Sequence, residues 1–240
     1  MDKDNLREKA NKIADEMNSE GIPLPLLLQV AADKNLELIK LGNDAYKKFA
    51  KIYKKLVEKK YSKAQKGELL EELTSVIFEE SYPFLFEVRR NQRTSSNEID
   101  LQINWSDRAL LAGLDPDKTT LGYSFLCECK NYDSPVGVTY VGKFFSLLSY
   151  TNTKLGLLIA WDGITGKNNW NDSEGLIRKL SLAEKVYIIP IEKDDLENIY
   201  NKSSNIFKII KDKYLALKND IDYKKFIKEK HQLEQAGLWE

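Results

Sequence analysis

The chain has 240 residues, of which 42% are hydrophobic and 31% charged, and its 37 basic residues balance its 37 acidic residues. These values are typical of one large folded domain, or of one domain with an appended helical piece. The longest apolar runs are far too short to span a bilayer, and no secretory signal precedes the first helix. We therefore expect no membrane segment and a cytoplasmic location.

Soft metal ligands are scarce in this chain. Cys127, Cys129 and His231 are the two cysteines and the single histidine, which is too few for a structural zinc site. His231 lies about a hundred residues from the cysteines in a charged, helix-like tail, where a surface position is expected. A Ser–His or Cys–His catalytic pair is therefore not expected, and any catalysis must rest on carboxylates and lysines.

Residues 1–66 have helical periodicity, and an apolar stripe lies near the end of this segment. The stripe consists of Tyr46, Phe49, Tyr53, Leu56 and Val57. The remaining positions between 47 and 66 contain nine lysines and one acid, Glu58. A solvated face opposite a core stripe explains this pattern. A second interpretation, compatible with the first, is a surface in which Lys51 and Lys55 contact nucleic-acid phosphates.

The period then changes along the chain. A helix over 67–80 is followed by strands over 84–92 and 98–105, a loop, and a third strand over 123–130. A helix over 138–152, a buried strand over 155–162, a helix over 175–184 and a strand over 185–193 complete the pattern. We expect an α/β fold with a mixed sheet in the order α-β-β-β-α-β. The predicted division is a helical extension at 1–66, a core at 67–194 and a helical extension at 195–240.

The third strand contains the stretch "FLCECKNY". Because side chains alternate along a strand, Glu128 and Lys130 share one face, while Cys127 and Cys129 share the other. The cysteines are expected to be buried, reduced and without a disulfide between them. A Glu-x-Lys pair is by itself most often a solvated surface pair, so its context decides what it means.

Two further acids precede this strand. Asp100, in "NEIDLQINW", points away from its apolar neighbours Ile99 and Leu101, and Glu71 lies on the preceding helix. Carboxylates held close together repel each other unless a cation lies between them, and hard oxygen ligands suit Mg²⁺. Such an ion can polarise a phosphoryl oxygen, and a nearby lysine can orient the attacking water. The ordered combination therefore indicates phosphodiester hydrolysis.

Residues 67–162 resemble the PD-(D/E)xK, or restriction-endonuclease-like, nuclease superfamily. They are most similar to Mrr-like restriction endonuclease domains and more distantly similar to archaeal-type Holliday-junction resolvases. "IDLQI" matches the family's aspartate strand, "CECK" its (D/E)-x-K strand, and "GELLEEL" the start of its first core helix. Mrr-like domains commonly have Gln-x-Lys where this chain has Glu128 and Lys130, and a glycine often precedes "ID" there.

The resemblance implies roles for particular residues. It implies that Asp100, Glu128 and Glu71 hold Mg²⁺, with Mn²⁺ able to substitute, and that Lys130 positions the attacking water. Glu68 and Glu72 are the alternatives to Glu71 as the helix acid. Further candidate contacts to DNA phosphates are Arg89, Arg90, Arg93 and Lys143, each of which is also explained as an ordinary surface charge.

The leading hypothesis is a metal-dependent DNA endonuclease in restriction or antiviral defence. A symmetric double-strand cut needs two sites, so a homodimer is expected, and an ATPase of the same defence system is a candidate partner. A structure-specific repair or recombination nuclease is the alternative within enzymes. A non-catalytic module that binds DNA or a partner protein, and a helical interaction protein whose sheet is only a scaffold, are the alternatives outside them.

Overall fold

The computed structural model describes residues 3–27, 30, 41–58, 60–80, 85–93, 98–111, 113–166 and 172–219. His231 and the rest of the predicted tail beyond residue 219 lie outside the described residues. Within the ranges given, no helix combines the length and apolar content that crossing a membrane requires.

Helices surround five strands in this part of the chain. The helices are α1 Lys3–Ser19, α2 Asn43–Val57, α3 Lys63–Ser75, α4 Asp107–Leu111, α5 Val138–Tyr150, α6 Ser173–Ala183, α7 Lys193–Tyr200 and α8 Ile206–Lys218. A π-helical turn, Val76–Glu80, continues α3, and a 3₁₀ turn spans Pro116–Lys118. The strands are β1 Phe86–Arg93, β2 Glu98–Trp105, β3 Ser124–Lys130, β4 Leu155–Ala160 and β5 Tyr187–Glu192.

The strands form one mixed sheet in the order β1-β2-β3-β4-β5. The pairs β1–β2 and β2–β3 are antiparallel, whereas β3–β4 and β4–β5 are parallel. Every residue of β4 is buried, as expected for an interior strand with helices on both faces. The predicted α/β architecture with a mixed sheet flanked by helices is confirmed.

The two faces of the sheet pack against different helices. One cluster joins Cys127, Cys129 and neighbouring strand residues to apolar side chains of α2, α3, α7 and α8. The other joins Leu126 of β3 and Leu158 of β4 to α5 and α6. The face of β3 that contains Leu126 is also the face of Glu128 and Lys130, because these three positions alternate with the cysteines.

The packing of α5 on β4 is close. At Gly156 of β4, an added Cβ would lie 2.7 Å from ring atoms of Phe144 and 2.8 Å from Leu148 Cδ1. Glycine is therefore required at this position by contact rather than by backbone conformation. The close approach fixes α5, and with it the segment between β3 and α5, against the sheet.

The helices outside the central pattern also pack against the sheet. Phe49 and Leu56 of α2, with Ile206 and Ile210 of α8, belong to the cluster on the cysteine face. Val57, which the predicted stripe included, is exposed. The division at 66/67 and 194/195 stays a prediction about folding units. Hydrophobic contacts of the same cluster join residues across each boundary.

A buried lysine joins α8 both to α7 and to the edge strand β5. The Lys213 side chain is 1% exposed, and its Nζ lies 2.5 Å from Asp195 Oδ2. Nζ also donates a hydrogen bond of 2.7 Å to the carbonyl oxygen of Pro190 in β5. Proline fits this edge strand because an edge strand has one side on which no ladder donor is needed.

The helix α3 begins four residues before the predicted start at 67. Ser62 is its N-cap, and Ser62 and Gln65 form a reciprocal capping box in which each side chain bonds the other's backbone N–H. Such a box satisfies two of the free N–H groups at a helix start. The preceding helix, α2, ends at Val57. The lysine-rich segment 47–66, predicted as one helix, therefore belongs to two helices, α2 and α3.

Candidate active site

Three of the predicted site residues come together at neighbouring ends of β2 and β3. Lys130 Nζ lies 2.5 Å from Glu128 Oε1 and 3.7 Å from Asp100 Oδ2. The side chains of Asp100, Glu128 and Lys130 are 16%, 19% and 18% exposed, so all three are partly screened from solvent yet reachable. An ammonium group therefore lies beside two carboxylates in one shallow site.

The strand register produces this arrangement. β2 and β3 pair with Leu101 opposite Cys127 as the last pair of the ladder, and Asp100 and Glu128 are the next residues of the two strands beyond that pair. The backbone N–H of Cys129 donates a hydrogen bond of 2.7 Å to Asp100 Oδ2. The main chain of β3 therefore orients the Asp100 carboxylate independently of the Lys130 side chain.

The reverse of β3 is core. Cys127 and Cys129 are both buried free thiols, and Cys129 Sγ lies 3.7 Å from Thr74 Oγ1 of α3. Burial, followed by the nearby charge of Asp100, raises the pKa of both thiols well above its usual range. The thiolate form is therefore disfavoured, and the cysteines are structural, as predicted from the alternation.

Glu71 is the helix acid whose carboxyl is influenced by the charges of this group. Burial raises the pKa of the Glu71 carboxyl most, and the charge of Asp100 raises it further, to about 7, although Arg90 and Lys130 act in the opposite direction. The rivals Glu68 and Glu72 are both exposed, whereas Glu71 is half-buried. Of the three acids, Glu71 is the one placed toward Asp100 and Lys130.

Lys130 is held in its charged form. Burial by itself lowers the pKa of the ammonium group, but the charges of Glu128 and Asp100 outweigh it, so the pKa lies above its usual range. At neutral pH the side chain is therefore a hydrogen-bond donor and a positive charge, and it is not available as a general base.

The predicted DNA contacts are spread over several elements. Arg90 of β1 donates from Nε to Ser75 Oγ at 3.1 Å, which places the arginine beside α3. Arg89 is exposed on the same strand, and Arg93 is its last residue. Lys143 is exposed on α5, where its Nζ lies 5.5 Å from the centre of the Tyr140 ring.

The lysine-rich helix α2 lies on the cysteine face of the sheet. Lys51 is exposed and Lys55 half-buried, on the sides of α2 that do not enter the core. Tyr53 of the same helix packs its ring 5.6 Å from that of Trp161 and 4.7 Å from that of Tyr200. The apolar stripe is therefore core, and the lysines form the solvated face that the sequence analysis expected opposite it.

Residues that the sequence analysis did not single out connect α3 to the end of β3. Lys66 Nζ, in the first turns of α3, lies 3.2 Å from Asp133 Oδ1, and Lys63 Nζ lies 3.6 Å from Asp133 Oδ2. Buried Asn131 donates from Nδ2 to the Lys66 carbonyl oxygen at 3.4 Å. We call Lys66, Asn131 and Asp133 the α3 clamp. It joins the helix of Glu71 to the strand of Lys130.

The donor chemistry of the site fits Mg²⁺. Within the described ranges, no group of three or more His, Cys, Asp or Glu side chains is already arranged around a metal position. Mg²⁺ does not need such a cage, because it is usually held by one or two carboxylates, with water and substrate phosphate completing its shell. Asp100 and Glu128 supply two hard oxygen ligands, and one ammonium group leaves their combined charge negative.

Comparison with known families identifies the domain. A model of the restriction endonuclease family, the Mrr catalytic domain, matches residues 62–183, which is half of the chain. The chain belongs to this restriction endonuclease family. The match to the restriction endonuclease domain begins at Ser62, the N-cap of α3, and ends at Ala183, the last residue of α6. It therefore contains four of the strands. It also contains Asp100, Glu128 and Lys130, which we call the carboxylate–lysine group.

The family match confirms the resemblance on which the sequence analysis relied, and it makes the chain a nuclease of the restriction endonuclease type. A search of curated proteins finds no match to the chain. The strand β5 and the helices α2, α7 and α8 lie outside the stretch that matches the restriction endonuclease family, although they pack against it.

Proposed function

We propose that this chain is a Mg²⁺-dependent DNA endonuclease in which Asp100, Glu128 and Lys130 perform phosphodiester hydrolysis with help from Glu71. The observation that carries the proposal is the position of the Lys130 ammonium, 2.5 Å from Glu128 and 3.7 Å from Asp100, inside a restriction endonuclease domain. Two acids that can hold a metal ion and a cation that can stabilise developing charge are groups suited to the hydrolysis of a phosphodiester.

The residues have separate tasks in this proposal. Asp100 and Glu128 would hold the ion, with Glu71 completing the carboxylate set from α3. When bound, Mg²⁺ supplies Lewis-acid polarisation of a phosphoryl oxygen, and Mn²⁺ is expected to substitute. Lys130, which stays protonated, orients the attacking water and stabilises the negative charge that develops on the phosphate oxygens.

DNA reaches this site along basic surfaces. Arg89 and Arg90 lie on β1 and Lys143 lies on α5, and we propose that these three residues, together with Arg93 at the end of β1, contact backbone phosphates. Lys51 and Lys55 on α2 would extend the contact to more distant phosphates. Such contacts fix the position of the duplex without reading its sequence.

The proposal extends to the biological setting of the enzyme. We propose restriction or antiviral defence in the cytoplasm, with a homodimer supplying one site for each DNA strand and an ATPase as a candidate partner. The alternatives are a structure-specific repair or recombination nuclease and a non-catalytic DNA- or partner-binding module. A cleavage assay on linear duplex, four-way junctions and flaps separates the first alternative from restriction.

The decisive experiment is plasmid cleavage. The wild type is expected to nick or linearise supercoiled plasmid in Mg²⁺ and to be inactive in EDTA. Asp100→Ala and Lys130→Ala are each expected to lower the rate by at least about 100-fold, because each removes an interaction with the reacting groups. Asp107→Ala and Lys118→Ala, on exposed residues of the loop between β2 and β3, are matched controls and keep wild-type rates.

Three results would contradict the proposal. Wild-type rates in the Asp100 and Lys130 variants would place the chemistry elsewhere. DNA retention without cleavage under any divalent metal would favour the binding module instead. Failure to retain DNA even at low salt would favour an interaction protein whose sheet is a scaffold.

A further inference from the structure

Two tyrosine rings pack together just beyond the end of the strand that contains Glu128 and Lys130. Tyr132 follows Lys130 by two residues, just beyond the end of β3, and Tyr140 lies in the first turn of α5. Their ring centres are 5.3 Å apart and their planes are inclined at 44°. The helix α5 is fixed against the sheet, so this pair has a defined position relative to the site.

A lysine extends the tyrosine pair. Lys143 lies less than one helical turn after Tyr140, with its Nζ 5.5 Å from the centre of the Tyr140 ring. We call Tyr132, Tyr140 and Lys143 the aromatic shelf. Tyr132 is partly buried and packs against the apolar cluster under α5, whereas Tyr140 remains 38% exposed. One ring is therefore anchored in the core, and the other presents aromatic surface to solvent.

The electrostatics tie the shelf to the catalytic group. Burial raises the pKa of Tyr132 most, a hydrogen bond with Tyr140 raises it further, and the positive charge of Lys130 acts in the opposite direction. The charges of Lys130 and Glu128 are thus felt at the Tyr132 hydroxyl. A phosphodiester bound at Lys130 would have its neighbouring nucleotide within reach of these rings.

Aromatic rings bind bases only where the faces of those bases are available. In a continuous duplex each base is covered by its neighbours, so a tyrosine beside the backbone finds sugar and phosphate rather than a base face. At a gap, flap or unpaired nucleotide the base can unstack and lie against an aromatic side chain, while a lysine pairs with the adjacent phosphate.

We propose that the aromatic shelf stacks an unstacked base of the DNA next to the cleaved phosphodiester, so that the enzyme prefers DNA with a locally unpaired nucleotide at the cut. This inference rests on the proposed nuclease function and adds its substrate class, which is that of the structure-specific alternative rather than that of restriction. Lys143 is exposed, and moving it aside breaks only a surface cation–π contact. Its ammonium group then pairs with the flanking phosphate.

Tyr150 provides a matched control on the same helix. It is the last residue of α5 and is 63% exposed, so it equals Tyr140 in residue type and exceeds it in accessibility. Ten residues of helix separate the two side chains by about 15 Å. A general effect of removing a surface tyrosine from α5 would appear at both positions, whereas base stacking beside Lys130 would appear only at Tyr140.

The test measures binding to two DNAs that differ in one unpaired nucleotide. In an Asp100→Asn background, which keeps the DNA intact, 2-aminopurine is placed either at a one-nucleotide gap or in the same position of a continuous duplex. The parent protein is expected to quench the fluorescence of the gapped DNA by stacking. Tyr140→Ala should lose this quenching and bind gapped DNA about 5- to 100-fold more weakly, with duplex binding unchanged.

Additional variants isolate the ring. Tyr140→Phe keeps the aromatic face and is expected to bind as the parent does, whereas Tyr140→Leu keeps apolar bulk without that face and is expected to behave like Tyr140→Ala. Tyr150→Ala should match the parent. Thermal midpoints of all variants show whether a loss of binding comes from a loss of folding.

The results also separate this inference from the proposed function. Unchanged binding of gapped DNA by Tyr140→Ala, or equal weakening on both DNAs, overturns the stacking role even when wild-type protein cleaves DNA in Mg²⁺. Absence of any cleavage by the wild type overturns the nuclease proposal, while quenching that depends on Tyr140 would still support the shelf as a base-binding surface.

Discussion

The backbone N–H of Cys129 donates a hydrogen bond of 2.7 Å to Asp100 Oδ2, so the main chain of one strand orients the carboxylate of the next. The same oxygen lies 3.7 Å from Lys130 Nζ. One carboxylate oxygen therefore contacts both a main-chain donor of the sheet and the cation of the site. The structural and the proposed catalytic role of Asp100 can be separated by mutation.

Asp100→Asn is expected to abolish cleavage while preserving the fold. The amide oxygen still accepts the hydrogen bond from Cys129, but the negative charge that would hold a cation is lost. We expect at least about a 100-fold fall in the rate of plasmid cleavage. The free energy of unfolding, measured in urea, should change less in Asp100→Asn than in Asp100→Ala, which also removes the acceptor. The opposite order would contradict the structural role of this bond.

Glu71→Gln is expected to stabilise the metal-free protein at high pH. The folded pKa of about 7 lies above the ordinary value of 4.5, so the folded state binds the Glu71 proton more tightly than the unfolded state does. Stability therefore falls as pH rises from about 4.5 to about 7, and the whole cost is present above that window. Glutamine removes the charge and hence the cost.

The thermal midpoint in EDTA tests this expectation. The midpoint of Glu71→Gln should exceed that of the wild type at pH 8, and the difference should vanish toward pH 4. Glu72→Gln, on an exposed neighbour, is the control and should show no such pH dependence. Cleavage by Glu71→Gln should nevertheless fall, because the helix acid is lost. If the thermal midpoint of Glu71→Gln exceeded that of the wild type only at low pH, the prediction would be wrong.

Asp133→Asn is expected to impair catalysis through positioning. The α3 clamp joins the helix of Glu71 to the end of β3, and small displacements of reacting groups are costly. We expect about a tenfold fall in kcat with KM unchanged. Because Asp133 is exposed, its ion pair with Lys66 should contribute less than about 1 kcal/mol to stability.

Asp115 provides the control for the clamp. It forms an exposed ion pair of similar length with Lys118, at 3.2 Å, in the loop between β2 and β3. Asp115→Asn should leave both kcat and the thermal midpoint unchanged. A fall in kcat of equal size in both variants would show that the effect does not depend on the contact between α3 and β3.

The parts of the site that were predictable from the sequence depend on local alternation. A period of two residues places Glu128 with Lys130 and buries Cys127 with Cys129, whatever the strand's neighbours are. The early start of α3 was also encoded locally, since Ser62 and Gln65 have the spacing of a capping box.

Other features depend on contacts between distant segments. Lys213 lies in a charged stretch that predicts a solvated helix, and it is buried because Asp195 and the Pro190 carbonyl satisfy its ammonium group. The meeting of Tyr132 with Tyr140 depends on how the loop after β3 returns to the sheet. Neither arrangement follows from periodicity, because each is determined by three-dimensional packing.

Two glycine substitutions test how firmly α5 is held on the sheet. Gly156→Ala would place a Cβ 2.7 Å from the Phe144 ring, and the resulting overpacking should destabilise the protein by about 1–3 kcal/mol. Gly142→Ala, inside α5, meets no atom within 4 Å and should stabilise it by about 0.5–1 kcal/mol through helix propensity. Urea unfolding measures both changes.

Cleavage by the same two variants connects this packing to the site. Displacement of α5 by Gly156→Ala also shifts Tyr140 and Lys143, so cleavage of gapped DNA should fall more than cleavage of continuous duplex. Gly142→Ala leaves the position of α5 unchanged and should keep the preference for gapped DNA. If Gly156→Ala destabilises the fold but keeps that preference, the position of α5 does not determine how the substrate is held.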